Sequence, residues 1–140
     1  MIGILNYGLG NVSAFVNIYN KLGVACKLVE KQGDLIDIDK LILPGVGAFD
    51  YAIQCFNDSG LREEVDRLVL IEKVPILGVC VGLQMMAESS DEGVLYGLGW
   101  IDATVVKFDS ESLPVGSPLP HMGWNNLDVV KEDPLFAGLN

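Results

Sequence analysis

The chain has 140 residues, 50% hydrophobic and 20% charged, which excludes a disordered polymer and suits one domain, 1–140, around one core. Its formal net charge of −10, with nine Lys and Arg scattered through the chain, argues against nucleic acid or an anionic membrane as partner. Cys26, Cys55 and Cys80 lack any CxxC spacing and His121 is the single histidine, so no disulfide framework, metal or cofactor is expected, and the reducing cytoplasm is the expected location.

The N-terminus, MIGILNYGLG, has no basic stretch ahead of its short apolar run and so does not read as a signal peptide; no later stretch is long enough to span a bilayer. "IGIL" (2–5) is predicted as a first strand, closed by the glycine-rich "YGLGN". Asn11 can cap a helix from Val12, in which Val12, Phe15, Val16, Tyr19 and Leu22 fall on one stripe and Gly23 provides the stop. "VACKLVE" (24–30) and "DKLILPG" (39–45) are the second and third strands. Residues 50–73 read as helix interrupted at "NDSG" (57–60), the second piece burying Leu61, Val65, Leu68 and Val69. "PILGV" (75–79) is a fourth strand, and the chain then turns at Cys80 into a helix, "VGLQMMAES". Strands alternating with helices at this spacing predict an α/β fold, a mostly parallel sheet with helices on both faces. Further on, "GLGWIDATVVKF" (97–108) and "HMGWNNLDVV" (121–130) read as β structure around a loop.

Cys80 interrupts an apolar run inside Gly78-x-Cys80-x-Gly82, the nucleophile-elbow pattern with cysteine in place of serine. Sheets of this class bind ligands beyond the carboxyl ends of their strands, where this cysteine falls, and a position at the start of a helix favours the thiolate. A buried structural cysteine is the competing reading. A second element points to chemistry: "LILPGVGAF" (41–49) ends in glycines whose N–H groups, with that of Val81, could hold the oxyanion of a tetrahedral intermediate. Common Pro-Gly turns have the same composition.

"LPGVGAF", "LGVCVGLQMM" with "SSDEG" beyond it, "LPHMGWN" (119–125) and the opening "NYGLGN" together resemble class I glutamine amidotransferases, most closely the group acting as glutaminase subunits of imidazole glycerol phosphate synthase. The resemblance runs over residues 1–140 and implies a flavodoxin-like sheet. It implies that Cys80 attacks the side-chain amide of glutamine, forming a thioester and releasing ammonia. Gly45, Val46 and Gly47 match the oxyanion strand, with Val81 contributing the N–H after the nucleophile. Gln84 matches a residue holding the substrate, and Glu92 one pairing with its α-ammonium group. Asn11, Pro120, His121, Met122, Trp124 and Asn125 match positions facing a synthase partner, in the histidine pathway a (β/α)8 cyclase with which the chain would form a heterodimer. His121 thus reads as an interface or structural residue rather than the general base, and Trp100 as packing or surface rather than chemistry.

The family's catalytic histidine belongs to a later His-x-Glu motif, and no His-x-Glu occurs in these 140 residues. The expectation is therefore a chain whose C-terminal part is missing and whose turnover by itself is poor. Two other functions fit the same residues. One is ammonia supply to a sugar-modifying synthase in surface polysaccharide biosynthesis. The other is a non-catalytic regulatory subunit in which Cys80 is unreactive.

Overall fold

The computed structural model describes residues 1–109, 111–113, 116 and 122–138. The chain divides by compactness into Met1–Lys107 and Phe108–Asn140. In the first unit the strands β1 (Ile2–Leu5), β2 (Cys26–Val29), β3 (Lys40–Gly45) and β4 (Ile76–Cys80) form one sheet in the order β2-β1-β3-β4, every pairing parallel. The helices are α1 (Val12–Lys21), α2 (Phe49–Asp58), α3 (Arg62–Asp66) running into a π turn at Arg67–Ile71, and α4 (Val81–Met85). Two residues each form β5 (Ser89–Ser90) and β6 (Thr104–Val105), paired in parallel. Among the described residues no helix is long and apolar enough to cross a membrane.

The central strands β1 and β3 are Ile/Leu-rich because both of their faces are buried, whereas Leu77 of the edge strand β4 is 48% exposed. Gly3 pairs with Leu41 and Ile4 with Ile42, so successive residues take opposite faces. Leu5, Leu41 and Leu43 face the main core, where Phe49, Ala52, Ile53 and Phe56 of α2 join Leu61 and Val65. Ile4 and Ile42 are equally buried on the other face, the side of α1. Asn11 caps α1, its side-chain oxygen accepting from the Ala14 N–H at 3.2 Å. The stripe predicted for that helix is only half-buried at Phe15 and Tyr19, and Leu22 is exposed.

The predicted break between the helices is observed. Ser59 Oγ donates to the Phe56 carbonyl and accepts from the Leu61 N–H, turning the chain before Leu61, Val65 and Leu68 are buried. At the end of β2, the Asp34 carboxylate accepts from the N–H groups of Glu30 and Lys31, which lowers its pKa below the ordinary carboxylate value.

Two expectations are corrected. The helix after Cys80 ends at Met85, and of 97–108 only Thr104–Val105 is strand. Both differences have one cause: residues 97–101 fold back onto the end of α4. The N–H groups of Gly97, Leu98, Gly99 and Trp100 donate to the carbonyls of Glu88, Met85, Ala87 and Met86 at 2.7–3.1 Å. The segment supplies the donors that the last turn of a helix lacks, so its own N–H groups are unavailable for a ladder. A Cβ on Gly97 would stand 2.0 Å from the Ala87 carbonyl oxygen, which is why glycine occurs there.

In the second unit the described residues hold one regular turn, Pro134–Phe136, with the Asp133 side chain accepting from the Leu135 N–H at 2.9 Å. The strand expected over 121–130 does not occur in its described part, 122–130. A β-like composition specifies a strand only when another strand pairs with it, and among the described residues none does so here.

Candidate active site

The order β2-β1-β3-β4 sends the chain from β1 to one side and returns it to the other, so the strand order reverses between β1 and β3, the point beyond whose carboxyl ends sheets of this class bind ligands. The loop after β1, the end of β3 and the end of β4 meet there. Gly45 is in register with Cys80. A Cβ on Gly45 would stand 2.6 Å from both the Gly82 nitrogen and Val81 Cγ1, and one on Gly10 would stand 2.9 Å from Pro44 Cβ. Glycines at 10 and 45 are thus what let three backbone segments come together.

Cys80 is the last residue of β4 and the residue before α4, and its thiol is exposed. Its backbone has φ 56° and ψ −125°, a region that L-residues avoid at a cost of about 1–3 kcal/mol. The flanking glycines do not carry that strain; they permit close packing. A Cβ on Gly78 would lie 2.5 Å from Leu83 Cα, and one on Gly82 would lie 2.1 Å from the Leu43 carbonyl oxygen. The helix therefore lies directly on β3 and β4, and the backbone bend at the top is forced onto Cys80. The buried-cysteine reading does not hold for this position.

Gly45 is buried and Val46 is 52% exposed, while Gly47 has φ 95°, a conformation that favours glycine. Val81 is buried one residue beyond the thiol, and Gln84 is half-buried one turn along α4. Glu92 lies on the exposed turn after β5, its N–H donating to Ser90 Oγ at 3.2 Å. Met122, Trp124 and Asn125 lie in the second unit, and Pro120 and His121 lie outside the described residues. Trp100 is a packing residue as expected: its ring meets Phe56 edge-on at 6.2 Å, and its Nε1–H donates to Asp66 at 2.6 Å. A cleft of about 390 Å³ is lined by Glu88, Ser89, Tyr96, Gly97, Leu98 and Gly99; Cys80 does not line it and opens directly to solvent.

Tyr7 is a residue the sequence reading missed. Its buried hydroxyl donates to the Pro44 carbonyl at 2.7 Å, and its ring meets Phe56 edge-on at 5.4 Å. It ties the loop after β1 to the peptide that leads into Gly45. An aromatic residue inside the otherwise small, glycine-rich "NYGLGN" was the available signal. Burial and the nearby Cys55 push the phenol above its ordinary value of 10.0, so the folded chain keeps a proton that the unfolded chain releases. This contribution to stability is complete below about pH 10 and is lost as pH rises above it. Tyr7→Phe is expected to cost about 1 kcal/mol at neutral pH, from the lost hydrogen bond. It is also expected to flatten the decline in stability above pH 10. Urea unfolding of both proteins across pH 7–11 checks both; a Tyr7→Phe chain with an undiminished alkaline decline contradicts the assignment.

A parallel sheet whose fourth strand bends at a strained cysteine into a helix defines the nucleophile-elbow class of α/β proteins. The model for the family Glutamine amidotransferase class-I matches residues 4–140, and the chain belongs to that family of glutaminase-type enzymes. It is similar to proteins named imidazole glycerol phosphate synthase subunit HisH. The one from Bdellovibrio bacteriovorus is 49% identical over 139 residues, covering 99% of this chain and 68% of that protein. The one from Leptospira borgpetersenii is 42% identical with the same coverage. The HisH 2 protein of Pseudomonas aeruginosa is 39% identical, over 100% of this chain and 68% of that protein. A solved structure described as a glutamine amidotransferase shares the fold, with a TM-score of 0.61 at 24% identity over 75% of this chain and 55% of that one.

Proposed function

We propose that the chain is the glutaminase subunit of an imidazole glycerol phosphate synthase, acting in histidine biosynthesis in the cytoplasm beside a (β/α)8 cyclase. The observation that carries this reading is the strained, exposed Cys80 in register with Gly45, in a chain up to 49% identical to HisH proteins. In this reading the Cys80 sulfur bonds to the side-chain carbonyl carbon of glutamine. The N–H groups of the Gly45–Gly47 segment and of Val81 receive the oxyanion; the C–N bond then breaks as the proton given up by the thiol is returned to the leaving nitrogen, which departs as ammonia. Water then hydrolyses the thioester to glutamate. Gln84 and Glu92 hold the substrate, the carboxylate of Glu92 pairing with its α-ammonium group. Ammonia released into water at neutral pH would be protonated and lose its nucleophilicity, so the synthase must receive it through a closed interface. Asn11, Pro120, His121, Met122, Trp124 and Asn125 are the proposed residues of that interface.

The test is coupled turnover. The protein at its full natural length, mixed with the cyclase subunit, glutamine and the cyclase's ribotide substrate, is expected to form glutamate and imidazole glycerol phosphate in equal amounts, whereas these 140 residues, which contain no His-x-Glu, are expected to turn over poorly. Glutamate release without imidazole glycerol phosphate would leave a glutaminase that serves another acceptor, such as a sugar-modifying synthase. Cyclase stimulation without glutamate release would identify a regulator.

A further inference from the structure

We infer that Asp50 is a positioning residue for the substrate turn: its carboxylate fixes residues 93–95 and thereby the placement of Glu92. The inference rests on the glutaminase reading above and assigns a role in it to a residue outside the elbow and the oxyanion segment. Asp50 lies in the first turn of α2, three residues after Gly47, and is half-buried. It reaches 44 residues along the chain. Oδ1 accepts from the Val94 N–H at 3.1 Å and from the Leu95 N–H at 3.0 Å, while Oδ2 accepts from Val94 at 3.0 Å.

Little apolar burial anchors this turn. Val94 is 91% exposed and Tyr96 87%, so few of their side-chain contacts oppose the entropy of a mobile loop. The turn is instead fixed at two polar points. On one side the buried Ser90 accepts from the Glu92 N–H through Oγ and from the Gly93 N–H through its carbonyl. On the other, Asp50 holds the next two N–H groups. Gly93 fits that clamp because a Cβ there would stand 2.0 Å from Asp50 Oδ1. Since α2 begins directly after the Gly45–Gly47 segment, one carboxylate couples the donors proposed for the oxyanion to the turn proposed for the ammonium group. Loss of that clamp should weaken capture of the substrate and leave the reaction at the sulfur nearly unchanged.

The experiment is alkylation of Cys80 by a glutamine-like diazo ketone, followed by intact mass to separate the probe's binding constant from its maximal labelling rate. Asp50→Ala is expected to weaken binding by about tenfold or more and to keep the labelling rate within about threefold of the parent. Asp50→Asn keeps one oxygen for both N–H groups and should remain close to the parent. If Asp50→Ala does not fold, Gly93→Ala displaces the turn with the carboxylate intact and should give the same selective loss of binding. Equal binding in the parent and in Asp50→Ala or Gly93→Ala overturns the inference, as does an Asp50→Asn chain as weak as Asp50→Ala. Failure of the parent to label at Cys80 overturns the glutaminase reading, and this inference with it.

Discussion

Cys80→Ser is expected to lower glutamate release by about 10⁴-fold or more in a synthase assembled from the protein at its full natural length, the loss typical when the nucleophile of a covalent mechanism is removed. The hydroxyl is a far weaker nucleophile at neutral pH, and the neighbouring backbone has no means of compensating for that. Cys80→Gly separates this chemical loss from the structural cost of the elbow. The residue sits at φ 56°, where an L-residue is strained by about 1–3 kcal/mol. Glycine removes the strain but adds about 0.5–1 kcal/mol of unfolded-state entropy. The expected result is a chain more stable by about 1 kcal/mol and without activity. Glutamate assays and urea denaturation of the two variants check this pair of expectations. Turnover by Cys80→Ser within tenfold of the parent would sink the proposed role of the sulfur. A Cys80→Gly chain less stable than the parent would show that the bend stores no strain.

Gly82→Ala is expected to have the largest effect on stability. The added methyl would stand 2.1 Å from the Leu43 carbonyl oxygen and 2.9 Å from the Leu43 carbonyl carbon. These are backbone atoms of β3, in which Leu43 is paired in register with Gly78 of β4, and they cannot rotate away as a side chain would. The start of α4 must therefore lift from the sheet, opening the packing around Val81 and Met85, both buried in the core. The cost is about 3 kcal/mol, which lowers the thermal midpoint by roughly 10 °C in a domain of this size. The same movement displaces Cys80 and Gln84, so glutaminase activity should fall with stability. Gly33→Ala is the control: a methyl there meets nothing within 4 Å, and the midpoint should hardly change. A Gly82→Ala chain that melts with the parent would mean that the close approach of α4 to β3 is not a constraint on this fold.

The sequence by itself determined the class of fold and the location of the candidate nucleophile, because both are written in local patterns. Apolar runs at 2–5, 40–45 and 76–80 favour strands where a sheet exists to receive them, and Asn11 followed by a half-apolar stripe favours a helix that packing of that stripe completes. Glycines two residues either side of Cys80 mark a bend packed against its neighbours even before the neighbours are known. Only the tertiary structure decided what those neighbours are and how they set the site. The register of Gly45 with Cys80, the contact of Gly82 with Leu43 and the reach of Tyr7 to Pro44 join segments 35–39 residues apart. The clamp of Asp50 on Val94 spans 44 residues. No local propensity encodes such pairs, since they exist only after the sheet has closed. The same reason accounts for the misread segments. Residues 97–101 read as part of a strand, but their N–H groups are taken by the carbonyls left open at the end of α4.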